Sequence, residues 1–324
     1  MVGRRQLLAG LAVSSATSFA CSRKSTADTA PPQPEAIPLS ALSPADAGSV
    51  SAARDAGASM RGRVAMDTWS FEGGGKAAVL VPAWAEGRRL PMLVALHGRG
   101  EALKGPSIGV LGWPRDYALV RAFERLCAPP ITSADLEGFV DPERLAETNR
   151  SLRDRPFEGV VVVCPYSPDV DLRKPAEIRA YATYVMNVVL PRARKELPVL
   201  GTPASTGIDG VSLGGALALR IGLANAASFG AVGTLQPAIG EDQVEDFTAL
   251  AKRAHEANAA QKLRLLTSKE DYFRAAIAKT DAAWRAAGIP HDYADIPGPH
   301  DYPFNRGPGA IEMLLWHDRA LARS

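Results

Sequence analysis

Gly210-Val211-Ser212-Leu213-Gly214-Gly215 fits the GxSxG pattern, in which a nucleophilic serine is lifted on a sharp turn between a strand and a helix. Small residues on both sides let the backbone turn without collision. Residues 216–224 (ALALRIGLA) are strong helix formers, so the turn is followed by the element it needs. A helix starting at Leu213 also favours the negative charge that develops during acyl transfer. A second copy of the pattern, Gly105-Pro106-Ser107-Ile108-Gly109, has no strand before it, and Val110 to Pro114 breaks the helix required after it. Context selects Ser212.

Such a serine needs a base, an acid to orient that base, and donors for the oxyanion. Pro297-Gly298-Pro299-His300-Asp301-Tyr302-Pro303 places His300 on a loop between the last strand and the last helix, where a base can reach across the sheet edge. The other histidines fit less well: His97 lies in a strand-end loop, His255 and His317 in amphipathic helices, and His291 at a strand entrance. The acid is expected after the strand at 263–267, in Ser268-Lys269-Glu270-Asp271-Tyr272-Phe273. Asp271 is the choice, with Glu270 beside it as the alternative; either could instead cap the following helix. Leu93-Val94-Ala95-Leu96-His97-Gly98-Arg99-Gly100 is an apolar strand ending in a glycine-rich loop, from which the backbone N–H of Arg99, with that of Leu213, is expected to bind the oxyanion. Trp113 and Tyr302, with Phe304, are candidates for an apolar substrate subsite; packing is the other reading.

These residues must be positioned by alternating strands and helices. Apolar, β-compatible runs occur at 76–82 (KAAVLVP), 90–97 (LPMLVALH), 159–165 (GVVVVCP), 229–235 (FGAVGTL), 263–267 (LRLLT) and 292–296. Helical patterns occupy 178–197, 244–258, 273–287 and 310–322. Alternation of this kind predicts an α/β fold with a mostly parallel sheet and helices on both faces. The interval 101–158 has no convincing strand and is too long for a simple connection, so a partly helical cap over the C-terminal edge of the sheet is expected there.

With 324 residues, 46% hydrophobic and 22% charged, and a formal net charge of +2, the chain gives no electrostatic reason to expect nucleic acid or an anionic membrane as partner. No CxxC, HExxH or EF-hand pattern occurs, so no metal is expected. Residues 1–21 read as an export signal: Arg4-Arg5 ahead of Leu7-Leu8 resembles a twin-arginine leader, and Ala20-Cys21 a lipoprotein cleavage site with Cys21 as lipid anchor. Residues 22–58, rich in Ala, Ser and Pro, read as a disordered tether, leaving 59–324 as the folded domain. That domain is not expected to span a membrane. Export to the periplasm or cell envelope, or secretion, would let Cys127 and Cys164 pair; buried free thiols are the alternative.

The order oxyanion loop, serine, acid, histidine is that of α/β-hydrolases. Residues 76–322 resemble the esterase group of that superfamily that includes esterase D, feruloyl and acetylxylan esterases and siderophore-ester hydrolases, with mycolyl transferases as relatives. The resemblance rests on GVSLGGALAL, FGAVGTLQPAI and GIPHDYADIPGPHDYPF. It implies an α/β-hydrolase fold, a triad of Ser212, Asp271 and His300, and cofactor-free cleavage of a small-molecule or polymer-linked carboxylic ester. Many members carry Trp and Arg just after the histidine, where this chain has Tyr302, Phe304 and Asn305. Acyl transfer or peptide hydrolysis by the same triad, and non-catalytic binding on the same scaffold, remain alternative readings.

Overall fold

The runs KAAVLVP, MLVAL and VVVCP are apolar at nearly every position because they form inner strands of a sheet covered on both faces. The computed structural model describes residues 37–38 and 60–324, which belong to one unit, Gln33–Ser324. The expected leader at 1–21 with Cys21, and the expected tether apart from residues 37–38, lie outside the described residues.

In chain order the main elements are β1 (Ile37–Pro38), β2 (Val64–Ser70), β3 (Lys76–Pro82), β4 (Met92–Leu96), α1 (Leu119–Cys127), α2 (Pro142–Asp154), β5 (Val161–Pro165) and α3 (Pro175–Tyr184, extended to Glu196). There follow β6 (Thr206–Gly210), α4 (Leu213–Ala224), β7 (Ala231–Val232), α5 (Val244–Ala257), β8 (Lys262–Glu270), α6 (Arg274–Ala286), β9 (Asp292–Pro299) and α7 (Ala310–Ala320). The nine strands of the described residues lie in the order β1-β2-β3-β5-β4-β6-β7-β8-β9. Pairing is parallel except that β3 runs antiparallel to both β2 and β5.

Side chains alternate across the sheet, and the two faces have separate cores. Val79, Met92, Val94 and Val163 pack with residues of α3, α4, α5 and α6. Ala78, Leu80, Leu93 and Val162 pack with residues of α1 and α7. Helix α4 is apolar at every position but Arg220, in keeping with the burial of ten of its twelve residues.

The interval 101–158 is partly helical, as expected, but not all of it lies over the strand ends. Its helix α1 packs Leu119, Phe123 and Leu126 into the core beside α7, so it is a layer of the sheet face rather than a cap over the edge. Helix α2 leans on α7 through a bidentate Arg144–Glu312 pair at 2.5 and 2.7 Å. The first part of the interval, up to Tyr117, borders the strand ends beside Ser212, and Leu136 and Phe139 border the end of β9 at Ile296 to Gly298.

Candidate active site

Four loops converge at the carboxyl ends of the parallel strands, where open α/β sheets bind ligands. His97 to Arg99 follow β4, Ser212 follows β6, Asp271 follows β8 and His300 follows β9. Ser212 has φ 56° and ψ −119°, a left-handed conformation that costs a non-glycine residue about 1–3 kcal/mol. Its surroundings hold it there: its N–H donates to the Leu235 carbonyl at 3.1 Å, and its carbonyl accepts from Ala238 N–H at 2.9 Å. The flanking glycines are needed for contact rather than freedom. A Cβ on Gly210 would lie 2.4 Å from the Gly214 carbonyl oxygen, and one on Gly214 would lie 2.3 Å from that of Leu96. The start of α4 therefore rests directly on the end of β4.

His300 Nδ1 lies 2.7 Å from Asp271 Oδ1. The carboxylate can only accept, so Nδ1 carries the proton and Nε2 is left as the basic nitrogen. Asp271 is itself fixed, accepting from Thr267 Oγ1 at 2.7 Å and from Phe273 N–H at 3.0 Å. Tyr272 and Phe273 flank the imidazole, with ring centroids 5.3 and 5.5 Å away. Glu270, the alternative acid, is exposed at the end of β8, whereas Asp271 is buried.

Ser212 stands where two cavities meet. One, of about 450 Å³, is lined by Leu213, Val170, Leu172, Ala238 and Phe273 together with Arg99 and Arg173. The other, of about 200 Å³, holds His300, Gly98, Glu101, Tyr117 and Tyr302, and Arg99 borders both. Arg99 and Leu213 each occupy the first position of a helical turn, where the N–H has no acceptor within the helix. The Arg99 guanidinium pairs with Asp169, which lines the larger cavity with it, through bonds of 2.8 and 2.9 Å.

His97 is fully buried and locks the loop after β4. Its Nε2 accepts the Ser167 N–H at 3.0 Å, so Nδ1 donates to the Gly98 carbonyl at 3.0 Å. Burial keeps this ring neutral by lowering its pKa.

Trp113 corrects the sequence reading. It is 0% exposed, packed edge-on to Tyr117 at 4.9 Å, and offers no surface to a substrate. Tyr302 does border the smaller cavity. Ser107, in the rejected motif, sits exposed on a short helical turn, Pro106–Gly109. Cys127 and Cys164 are free, and burial pushes the Cys127 thiol up to about 12. The sequence reading missed Glu101, whose carboxylate is buried beside the serine loop. It accepts from the hydroxyls of Tyr117 and Tyr302, and Lys104 lies 3.4 Å away. Its only sequence signal is a charge one residue beyond the glycine-rich loop.

No protein-family model and no curated protein matches the chain. Solved structures do match. A ferulic acid esterase superposes with a TM-score of 0.56 at 17% identity, over 80% of this chain and 98% of that one. An S-formylglutathione hydrolase from Staphylococcus aureus gives 0.54 at 15% identity, over 79% and 99%. The fold is that of the α/β-hydrolases. A feruloyl esterase module from Clostridium thermocellum, complexed with sinapinate, gives 0.53 at 14% identity, over 85% and 90%. No described helix of this α/β-hydrolase fold is long and apolar enough to cross a membrane.

Proposed function

We propose that the chain is a serine hydrolase that cleaves carboxylic esters through an acyl-enzyme on Ser212. The observation that carries this reading is the 2.7 Å contact of His300 with Asp271, beside a strained serine that shares its cavity with the imidazole. His300 Nε2 takes the Ser212 proton as the oxygen attacks the ester carbonyl, and Asp271 stabilises the imidazolium that forms. The N–H groups of Arg99 and Leu213 receive the oxyanion. The imidazolium then protonates the leaving alcohol, and a water activated by the same nitrogen releases the acid. Two cavities meeting at the serine suit a substrate whose acyl and alcohol parts leave the carbonyl in opposite directions. The similar structures are of proteins named for a ferulic acid ester and for S-formylglutathione, which agrees with acyl transfer to water as the class of reaction. Export of the mature domain to the periplasm or cell envelope belongs to the same proposal, and rests on the leader residues Arg4, Arg5, Leu7 and Leu8 and on Cys21.

Hydrolysis of p-nitrophenyl acetate and butyrate tests the chemistry. Ser212→Ala is expected to lower kcat by at least about 10⁴-fold, whereas Ser107→Ala leaves it unchanged. Equal activity of Ser212→Ala and the unaltered protein would refute the assignment.

A further inference from the structure

Glu101 is an acidic side chain only 1% exposed, with no part in the proton transfers above. Its two oxygens face different loops. Oε2 accepts the Tyr117 hydroxyl, and Tyr117 in turn accepts the Gly98 N–H at 3.2 Å. Oε1 accepts the Tyr302 hydroxyl at 2.7 Å, two residues beyond His300, and Lys104 lies on the same oxygen at 3.4 Å. Tyr302 fits only because Gly100 lacks a side chain, since a Cβ there would stand 2.8 Å from its hydroxyl.

The direction of these bonds is fixed by charge. An ionised carboxylate can only accept, so each tyrosine must donate its single proton to Glu101. Tyr117 is then left with lone pairs alone for Gly98, and its oxygen becomes an obligatory acceptor for that N–H. Burial and the neighbouring carboxylate raise the Tyr117 pKa well above its ordinary value, so the proton stays in place. The Gly98 carbonyl is held independently by His97. With both polar groups of Gly98 tied, the peptide that presents the Arg99 N–H has one orientation.

We propose that Glu101 is a positioning residue: through Tyr117 and Tyr302 it fixes the oxyanion loop and the histidine loop relative to one another. The proposal rests on the ester-hydrolysis reading of the site. Its force lies in the steep dependence of catalysis on placement, where a misfit of about 1 Å can cost about 100-fold in rate.

The test compares Tyr117→Phe, Glu101→Gln and the double variant in the full chain. Active sites are counted by stoichiometric labelling with a fluorophosphonate, so that loss of folded protein does not register as loss of rate. Each single variant is expected to lose about 10- to 100-fold in kcat per labelled site, with KM within about 2-fold. The double variant is expected to lose no more than the worse single one, because the two residues act through one chain of bonds. Affinity for a trifluoromethyl ketone, which forms a tetrahedral oxyanion on the serine, is expected to fall by the same factor as kcat. Unchanged kcat per labelled site, or a loss confined to KM, overturns the proposal while leaving the hydrolase reading intact. An unaltered protein that takes up no label overturns both.

Discussion

His97 and His317 are fully buried and held neutral by loss of hydration, whereas His300 lies partly open between Tyr272 and Phe273 with a carboxylate on one nitrogen. The same side chain is thus a rigid hydrogen-bonding strut at the first two positions, and at the third it borders the cavity that also holds Ser212. The struts have a consequence for stability. In both, the folded-state pKa is depressed below the ordinary 6.5, so below that pH the unfolded chain binds protons that the folded chain refuses. Stability is therefore fully present above about pH 6.5 and falls as the pH is lowered beneath it. Urea midpoints measured between pH 7.5 and about 5, above the range in which exposed carboxylates titrate, should decline, and His317→Gln should flatten the decline. A pH-independent midpoint in the unaltered protein would contradict the buried neutral state.

At the scale of elements, Ser212 is placed by a contact between α4 and β4 that leaves no room for a methyl group. Gly214→Ala would drive a Cβ to 2.3 and 2.5 Å from the carbonyl oxygens of Leu96 and His97. Backbone must move, and a loss of about 2 kcal/mol or more is expected, together with lower kcat. Gly201→Ala, where a Cβ meets nothing within 4 Å, is the matched control and should change the urea midpoint little. Strands β3, β4 and β5 were legible because two-sided burial leaves an unbroken apolar run. The short β7, confined to Ala231–Val232, was expected over 229–235, since apolar character persists beyond the paired residues. Strand β2 was missed because Asp67 and Thr68 interrupt its pattern. Helix α1 does carry a helical periodicity, with Leu119, Phe123 and Leu126 inward and Arg121 and Arg125 less buried. It was absorbed into an expected cap because prolines bracket it. The positions of Asp271 and His300 at strand ends were legible from the apolar runs before them, whereas Ser212 was legible from its motif and the helix after it, because β6 (TGIDG) has one large apolar residue and no run to read. Glu101 was not, because its partner Tyr302 is 201 positions away and only folding reveals that the charge is buried.

For the whole molecule, the two faces of the sheet are closed in different ways, and the face bearing α1 and α7 depends on how the chain's end is fastened. Asp318 is fully buried and accepts the backbone N–H groups of Glu158 and Gly159 at 3.1 and 2.9 Å, just before β5. Arg319 and Arg323 supply its countercharge. One side chain therefore pins the last helix to the start of an inner strand 160 residues earlier. Asp318→Ala would strand two N–H groups and take from Arg319 and Arg323 one of their several partners, and a loss of about 2–4 kcal/mol is expected in equilibrium urea unfolding. A change below about 1 kcal/mol would show that water replaces the carboxylate without penalty.

The left-handed backbone at Ser212 also bears on how this chain can change over evolutionary time. Glycine would occupy φ 56° without the strain that serine stores there. A duplicated copy released from the need to react would thus find loss of activity and gain of stability one substitution apart, at the same position.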